Sequence, residues 1–430
     1  MEKVDVVIVG AGLAGLATAY SLADEGLEIL VVERGDYPGS KNVTGGRLYL
    51  NPLRNLFDDE FWAEAPWERY VAKEGLTMMG EGARASLQFT SERFQQPPHH
   101  SWTILRAKFD QWFAERARER GVFIITKNRV DDLIIDDGRV AGVRAGEAEI
   151  LADVVVAADG ALSFTAEKAG LRERHRPESF AVGIKEVIEL PREAIEERFS
   201  LEGEEGAAQL FFGSLTKGVF GGGFLYTNRE SISLGIVLGL AGLMEVGLGV
   251  LEAHELLEEF RESEPVARLV EGGEAVEYSA HLIPESRTAK LYADGILVVG
   301  DAAGLALNMG LTVRGMDYAL ASGALAARAI KRAHKMKDFS ASALSYYEDL
   351  LKESFVLQEL HAFRRAVGAL TNPRLFNLYP QVICGLLERL YWVDESPKPR
   401  LSATLRGYLR SRKDLTLSSL CKDLAAMRKI

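Results

Sequence analysis

The fold is decided by residues 4–15, which read VDVVIVGAGLAG. The β-branched run that opens this stretch, interrupted only by Asp5, is typical of a parallel strand buried on both faces. Three glycines follow at once, a helical run continues to about Asp24, and a second apolar run, Ile29–Val32, ends at Glu33. This order of strand, glycine turn, helix, strand and acidic residue predicts a Rossmann-type dinucleotide-binding unit.

Each glycine of the turn has a physical role in such a unit. Gly10 permits the tight turn, Gly12 lets a pyrophosphate approach the backbone, and Gly15 lets the helix pack closely on the strand. The helix N-terminus then offers free N–H groups and the positive end of its dipole to phosphate oxygens. Glu33 is predicted to accept hydrogen bonds from an adenosine ribose, whereas Arg34 either reads a ribose phosphate or flanks the adenine. The cofactor-binding residues predicted here are Gly10, Gly12, Leu13, Ala14, Gly15, Glu33 and Arg34.

The composition of the 430 residues is that of a globular protein, with 47% apolar and 26% charged residues. A net charge of −11 argues against nucleic acid as a partner, because binding to the phosphate backbone requires a positive surface. The two cysteines, Cys384 and Cys421, are too few for a disulfide framework or for an iron–sulfur cluster held by this chain alone. We expect no metal site, no signal peptide and no transmembrane helix, and therefore a cytoplasmic protein.

Two later strands point to the same site. Val154–Gly160 and Ile296–Gly304 each read as a strand that runs into an aspartate and a glycine, and strand ends gather at one edge of a doubly wound sheet. A helix predicted from about Val313 to Ala333, starting near Leu311, would point its positive end at a flavin ring. An NAD dehydrogenase does not need this third element, so the sequence favours FAD. The contacts predicted here are Ala158, Asp159, Gly160, Gly300, Asp301, Gly310, Leu311 and Thr312.

The layout resembles the p-hydroxybenzoate-hydroxylase-like branch of FAD enzymes, as does Arg106-Ala-Lys-Phe-Asp110 at the start of an amphipathic helix. In that branch the arginine approaches the phosphate and ribityl region of FAD. Two stretches are more specific, KNVTGGR at 41–47 and NMGLTVRGMD at 308–317. Together with the predicted strands at 182–186 and 221–226, they resemble the FixC family, which is related to electron-transfer-flavoprotein:quinone oxidoreductases. The resemblance runs from residue 1 to about 340.

This resemblance implies an electron-transfer role. FAD would accept electrons from the alpha and beta subunits of an electron-transfer flavoprotein and pass them toward ubiquinone or menaquinone. The related single-chain oxidoreductases carry a four-cysteine cluster domain that this chain lacks, so a 4Fe-4S cluster is expected on a small ferredoxin-like partner. In the complete complexes NADH is oxidised and electrons bifurcate to ferredoxin and quinone, with this chain on the higher-potential branch. The quinone implies a peripheral position on the inner face of the cell membrane.

Further site residues follow from the resemblance. The loop at 41–47 should touch the flavin, and Arg106 and Val130 belong to the same predicted site. The stretch 220–222 matches the aromatic-Gly-Gly stretch that lines the quinone pocket of the related oxidoreductases, although a bend in a strand is the structural alternative. Lys185 either stabilises an anionic flavin or forms an ordinary surface ion pair. The residues added are Lys41, Asn42, Thr44, Gly45, Gly46, Arg106 and Val130 for the cofactor, and Lys185, Phe220, Gly221 and Gly222 for the quinone.

We expect an α/β fold, α+β overall, in three interleaved parts. These are a Rossmann-type FAD-binding domain, an antiparallel-sheet quinone or substrate domain, and a helical C-terminal region. In the last part, residues 375–393 are apolar and aromatic at both ends, which is typical either of a core helix or of one that docks on a membrane or a partner. The predicted boundaries are 1–75, 100–180 and 280–340 for the first part, 76–99 and 181–279 for the second, and 341–430 for the third.

Two other functions are compatible with this fold. The first is an FAD-dependent monooxygenase or prenyl reductase, which NADH or NADPH would reduce directly. The second is a structural role, with FAD held inside a larger assembly. No general acid or base stands out in the sequence, which agrees with electron transfer, because that process depends on positioning and redox tuning.

Overall fold

The computed structural model describes residues 2–41, 46–173, 175–285 and 290–428. Within these ranges the chain forms two large sheets, a two-stranded ribbon and helices that cover the sheets. One sheet is mainly parallel and the other mainly antiparallel, which confirms the predicted α/β class. The domain boundaries given above remain a prediction.

The first sheet is built on the predicted Rossmann unit. Its central strand Glu2–Val9 pairs in parallel with Ala148–Ala157 on one side and with Ile29–Val32 on the other. A hairpin that turns at Asp137 is joined to this sheet by antiparallel pairing with Ala148–Ala157. The strands in spatial order are Tyr292–Ala293, Ile296–Val298, Ala148–Ala157, Glu2–Val9, Ile29–Val32 and Phe123–Ile125, with the hairpin Asp132–Asp136 and Arg139–Ala145 at the side.

The second sheet is mainly antiparallel. Its one parallel pair among the described strands joins Glu205–Gly213 to Tyr70–Met79. One face carries a core cluster that includes Phe211, Leu225 and Leu234 and packs on the helix Val250–Glu262. The strands in spatial order are Glu274–Pro284, Phe180–Glu189, Ser231–Gly239, Gly221–Thr227, Glu205–Gly213, Tyr70–Met79, Ser101–Ile104 and Gly46–Tyr49, with Arg84–Thr90 paired to Tyr70–Met79.

Two helices meet under the first sheet. Leu13–Leu22 follows the glycine turn, as predicted, and packs along Met316–Met336. The contact is close because small residues line it: a Cβ atom at Gly323 would lie 2.3 Å from the carbonyl oxygen of Ala14. The α-helices are Leu13–Leu22, Asp59–Ala63, Glu92–Gln95, Arg106–Glu119, Phe164–Lys168, Arg192–Phe199, Leu240–Glu245, Val250–Glu262, Val266–Val270, Met316–Met336, Ala341–Leu344, Tyr346–Glu353, Phe355–Ala362, Ala366–Leu370, Leu378–Tyr391, Leu401–Ser411 and Leu417–Met427.

The sequence placed the start of the long helix too early. It predicted Val313 or even Leu311, whereas the helix begins at Met316 after Gly315. The preceding residues form a ribbon in which Leu307–Asn308 pairs with Val313–Arg314. A side-chain turn stabilises this ribbon, because Asn308 Oδ1 accepts a hydrogen bond of 2.9 Å from the backbone N–H of Gly310.

The chain beyond residue 341 is helical in its described part, as predicted. The apolar stretch from 375 to 393 forms the helix Leu378–Tyr391, which has one buried side and an exposed end. Among the described residues, no helix combines the length and the apolar character needed to cross a bilayer.

Candidate functional site

The glycine turn fits tightly against the end of a neighbouring strand. Gly10 has φ +105°, and a Cβ atom there would lie 2.5 Å from the carbonyl oxygen of Ala158. A Cβ atom at Gly15 would lie 2.0 Å from the carbonyl oxygen of Gly10. Only glycine fits at both positions, so the turn keeps its backbone open toward the space in front of it.

Glu33 is fixed at the end of its strand by backbone hydrogen bonds. Its Oε2 accepts from the N–H of Ala11 at 2.8 Å, and its Oε1 accepts from the N–H of Gly35 at 2.6 Å. Each carboxylate oxygen has two acceptor positions, so both retain one. The arrangement therefore leaves Glu33 able to accept from ribose hydroxyls, the role that the sequence predicted.

A cavity of about 1210 Å³ begins at the glycine turn and extends to the second sheet. Most of the predicted cofactor residues line it. They are Gly10, Gly12, Leu13, Ala14, Glu33, Arg34, Lys41, Gly46, Arg106, Val130, Ala158, Asp159, Gly160, Asp301, Gly310 and Leu311. Gly15, Gly300 and Thr312 do not line it, and Asn42, Thr44 and Gly45 lie outside the described residues.

Asp159 and Asp301 have different environments although both follow a strand. Asp159 accepts from Ser163 Oγ at 2.6 Å and from the N–H of Thr165 at 2.9 Å, so it orders the start of the next helix. Asp301 faces the cavity; burial raises its pKa to about 6, and nearby Arg106 partly offsets this effect. Of the two, Asp301 is the better placed to bind a hydroxyl group in the cavity.

Arg106 is held rigidly at the start of its helix. Its Nε and Nη2 each donate to a different oxygen of Asp110 at 2.8 Å. This bidentate pair fixes the plane of the guanidinium group, and Arg106 still lines the cavity. Gly300, which does not line the cavity, donates its N–H to Ser322 Oγ at 3.0 Å, and a Cβ atom there would lie 2.7 Å from that of Ala14. Gly300 thus serves the packing of the strand end on the helices.

The second sheet supplies the other half of the cavity with an apolar wall. Side chains alternate along a strand, so one face of three neighbouring strands points into this space. Across these strands the side chains of Leu76, Leu210 and Phe224 form one row, and those of Met78 and Phe212 form the next. The lining is aliphatic and aromatic, which suits a flat apolar molecule.

The predicted quinone residues occupy two different positions. Phe220, Gly221 and Gly222 line the cavity, and the Phe220 ring packs edge-on against Phe376 at 5.9 Å. A Cβ atom at Gly221, where φ is +152°, would lie 2.0 Å from the carbonyl oxygen of Val237, so packing between strands also requires glycine there. Lys185 is fully buried and does not line the cavity, which excludes the surface ion pair.

Lys185 nevertheless belongs to the cavity side of the second sheet. It lies across from Gly235, which in turn lies across from Phe224. Burial lowers the pKa of Lys185 well below its ordinary value; Glu277 offsets this effect and Arg106 adds to it. Its role at the site remains a prediction.

Two groups at the cavity were not predicted from the sequence. Glu285 follows the edge strand Glu274–Pro284, its Oε1 is buried without a hydrogen-bond partner among the described residues, and burial raises its pKa to about 7. Arg47 lines the cavity beside Tyr226. Arg47 ends the specific stretch 41–47 and could have been noticed, whereas Glu285 has the sequence signal of a surface loop.

The C-terminal helices close one side of the cavity. Leu420, Leu424 and Met427 of the helix Leu417–Met427 line it. Asp423 of the same helix accepts from Arg374 Nη2 at 2.8 Å and also from the Tyr379 hydroxyl. No motif in the sequence indicated that these helices would form a wall of the cavity.

These features fit FAD. The glycine turn offers backbone and a helix N-terminus to a pyrophosphate, Glu33 offers acceptors to a ribose, and Arg106 and Asp301 stand farther along the same cavity. The space continues past them to the apolar wall of the second sheet. A dinucleotide with a planar ring can therefore lie along the whole length of the cavity.

Comparison with known proteins agrees. Residues 3–198 match the FAD binding domain family. The chain is 43% identical over 422 residues to Protein FixC of Escherichia coli strain K12, covering 97% of each chain. It is 39% identical over 421 residues to Protein FixC of Bradyrhizobium diazoefficiens, covering 96% of this chain and 95% of that one. It is also 41% identical to the E. coli K12 protein named "Probable electron transfer flavoprotein-quinone oxidoreductase YdiS", covering 98% and 97%.

Solved structures share the fold. A geranylgeranyl bacteriochlorophyll reductase-like protein from Thermoplasma acidophilum superposes with a TM-score of 0.72 at 21% identity, covering 98% of this chain and 100% of that one. The flavin-dependent brominase Bmp2 superposes with a TM-score of 0.63 at 16% identity, covering 95% and 100%. The full-length relatives show more than the fold: this is an FAD-dependent electron-transfer oxidoreductase, and the chain belongs to the FixC family.

Proposed function

We propose that this protein takes electrons from an electron-transfer flavoprotein and delivers them to a membrane quinone. The observation that carries this proposal is the continuity of the cavity, which joins the cofactor end at the glycine turn to an apolar chamber on the second sheet. A flat apolar acceptor in that chamber would lie next to the cofactor. The name of the relative YdiS, which mentions both the electron transfer flavoprotein and quinone, supports the same pair of reactants.

Residues at different positions along the cavity would contact different parts of the cofactor and the acceptor. The glycine turn and Glu33 would hold the adenosine and pyrophosphate, while Arg106 and Asp301 would hold the middle of the cofactor. Phe220, Gly221 and Gly222 would bound the acceptor chamber. FAD, when bound, supplies the redox chemistry, since it can exchange electrons with both reactants.

We also propose that the chain works in a complex. Its two cysteines, one buried and one exposed, are far apart in sequence and too few for a 4Fe-4S cluster, so the cluster would reside on a small ferredoxin-like subunit. The electron-transfer flavoprotein alpha and beta subunits would bring electrons from NADH. This chain would form the higher-potential, quinone-linked branch of a bifurcating complex.

A peripheral contact with the inner face of the cell membrane is part of the proposal. Tyr391, Trp392 and Val393 are 82%, 67% and 74% exposed at the end of their helix. Basic residues follow them: residues 400–430 contain eight lysines or arginines and two aspartates. Exposed aromatic side chains followed, after Asp394 and Glu395, by a basic segment suit the surface of an anionic bilayer.

Co-purification of the tagged native protein tests the function. We expect electron-transfer flavoprotein subunits and a small iron–sulfur protein to arrive with it, and NADH to reduce the flavins of that complex. A protein that arrives alone and is reduced directly and rapidly by NADH or NADPH would instead be a monooxygenase or prenyl reductase. Flavins that no donor reduces in the complete complex would favour a structural role for FAD.

A further inference from the structure

The acceptor half of the cavity has a polar end as well as apolar walls. One row beyond Leu76, Leu210 and Phe224, the second sheet carries Glu74 and Tyr226, with only the small side chain of Ala208 between them. Arg47, on the edge strand Gly46–Tyr49, reaches the same place and lines the cavity together with Tyr226. The guanidinium group of Arg47 and the phenol of Tyr226 therefore lie at one end of the chamber, next to its apolar wall.

Arg47 is rigidly positioned. Its Nη1 donates to Glu74 Oε2 at 2.8 Å, its Nη2 donates to Glu74 Oε1 at 2.5 Å, and its Nε donates to Ser101 Oγ at 2.9 Å. Its Nη2 also lies 2.8 Å from His100 Nε2, and its guanidinium stacks 4.5 Å from the centre of the Tyr49 ring. Of the five N–H groups of an arginine, one on Nη1 remains without a partner among the described residues.

The protonation states of the neighbours make this end a hydrogen-bond donor. Burial, reinforced by Arg47, lowers the pKa of His100 to about 4, so His100 is a neutral acceptor for Arg47 near pH 7. Burial raises the pKa of Tyr226, so its phenol keeps its proton. Glu74 balances the charge of Arg47, and what faces the cavity is an N–H group and an O–H group.

We propose that Arg47 and Tyr226 bind a carbonyl oxygen of the electron acceptor and thereby fix the orientation of its ring in the chamber. The proposal rests on the proposed function for the identity of the acceptor as a quinone. An apolar chamber with a small number of placed donors holds a flat ring by its hydrocarbon faces and orients it by its oxygens. Arg47 and Tyr226 are positioning residues for that ring, and Glu74, Ser101 and His100 hold Arg47 in place.

Two substitutions test the assignment, with equilibrium binding and turnover measured side by side. Binding of a tail-free 1,4-naphthoquinone to the oxidised FAD-loaded protein is followed by calorimetry. We expect Arg47→Met to weaken it about tenfold to a hundredfold and Tyr226→Phe about threefold to tenfold, from the usual strengths of charged and neutral hydrogen bonds. In turnover, KM for the naphthoquinone should rise in parallel, while the rate with ferricyanide, an acceptor that does not require the chamber, should stay within about twofold.

A matched control is available on the other face of the second sheet. Arg261 pairs with the buried Glu186 at 3.0 Å but does not line the cavity, so Arg261→Met leaves a similar unpaired carboxylate without touching the chamber. It should bind the naphthoquinone as the wild type does. If Arg47→Met loses FAD or fails to fold, Tyr226→Phe, which preserves the Arg47–Glu74 pair, carries the test.

The possible results separate the inference from the function on which it rests. Unchanged naphthoquinone binding in both Arg47→Met and Tyr226→Phe overturns the inference even if quinone reduction is normal. Wild-type protein that binds the naphthoquinone but never reduces it refutes the proposed function, whereas weakened binding in the variants would still support the assignment of the donors. Wild-type FAD-loaded protein that binds no naphthoquinone overturns both.

Discussion

Glu285 is a buried carboxyl group at the cavity whose ionisation should affect the stability of the fold. Its folded-state pKa, about 7, lies above the ordinary glutamate value of 4.5, so the folded protein retains this proton to higher pH than the unfolded chain does. Stability from this group is fully present below pH 4.5 and is lost as pH rises toward 7. Glu285→Gln should remove this dependence of stability on pH. At pH 8 the variant should therefore unfold at a higher temperature than the wild type, and its free energy of unfolding should be larger by at most about 3 kcal/mol.

Thermal unfolding of wild type and Glu285→Gln between pH 5 and 8 measures this effect. The two melting temperatures should be close at pH 5 and diverge toward pH 8, with the variant higher. A variant that melts below the wild type at pH 8, or runs parallel to it throughout, would show that the carboxyl group finds water or a partner instead.

Gly15 should be indispensable for holding the cofactor. In Gly15→Ala the new methyl group would overlap the carbonyl oxygen of Gly10, because the two atoms would be 2.0 Å apart, and the turn would have to open. We expect the purified variant to retain less than about a tenth of the wild-type flavin, measured by absorbance near 450 nm, since the turn presents its N–H groups to the phosphates.

Gly407→Ala is the matched control for this substitution. Gly407 lies within the helix Leu401–Ser411, and a Cβ atom there meets nothing within 4 Å. Alanine in a helix should even stabilise it, by up to about 1 kcal/mol, with full flavin content. Normal flavin content in Gly15→Ala would contradict the tight fit.

At the residue scale, the sequence predicts best where a motif constrains the backbone. Gly10, Gly15 and Glu33 have short-range reasons for their identity, and the structure gives each one a matching contact. Glu285 and Tyr226 become candidate site residues only through neighbours that are distant along the chain, and no local spacing reveals these neighbours. Their surroundings depend on which strands lie next to each other.

Among the elements, the terminal helix Leu417–Met427 should depend on one carboxylate. The Asp423 side chain is 8% exposed and joins this helix to Arg374 and Tyr379. Asp423→Ala leaves both partners unpaired, so the helix should detach more often and trypsin should cut at Lys422 at least about fivefold faster. Limited digestion followed by mass spectrometry measures this rate.

Asp414→Ala provides the comparison for the terminal helix. Asp414 pairs with Arg412 in an exposed position close by, so its removal should cost about 0–1 kcal/mol and leave the rate of cleavage nearly unchanged. Equal cleavage rates in Asp423→Ala and Asp414→Ala would mean that apolar contacts alone hold the terminal helix.

Periodicity identified most elements but not all of their ends. The strands at 182–186 and 221–226 and the helix beginning at Arg106 are present as predicted. The long helix starts later than predicted because Asn308 turns the chain back on itself before Met316. A side-chain turn of this kind competes with a helix start over only a few residues, which a periodic pattern cannot distinguish.

For the whole molecule, charge and exposed aromatic residues lead to a prediction about lipid binding. The chain carries −11 overall, yet the segment 400–430, a few residues beyond Tyr391 and Trp392, is basic. Replacing both aromatic residues with serine should weaken binding to vesicles containing phosphatidylglycerol about tenfold, and added salt should weaken wild-type binding. Co-sedimentation with the vesicles provides the measurement.

Phe123→Ser serves as the control for lipid binding, because Phe123 is also 66% exposed but lies on the strand Phe123–Ile125 at the edge of the first sheet. It should bind vesicles like the wild type. If the serine variant at Tyr391 and Trp392 also sediments like the wild type, or if the wild type does not sediment, this end of the chain does not contact lipid directly.

At the scale of the whole molecule, the sequence predicted the α/β class, with a Rossmann-type part, a mainly antiparallel sheet and a helical C-terminal region. It could not show that strands such as Gly46–Tyr49 and Ser101–Ile104 join the second sheet, because their partners are distant along the chain. It also could not show the C-terminal wall of the cavity. The pairing of these strands and the position of the C-terminal helices both depend on contacts between segments that are distant along the chain, and no local sequence pattern marks such contacts.

The alternation of side chains along the strands of the second sheet has a consequence for how this fold can evolve. One set of positions, including Phe211, Leu225 and Leu234, builds the core, and the intervening set, including Leu210 and Phe224, faces the acceptor chamber. A mutation in the second set changes the shape offered to a molecule without opening a hole in the first. Lineages of this fold could therefore exchange one electron acceptor for another in single steps, each of which leaves a foldable protein for selection to work on.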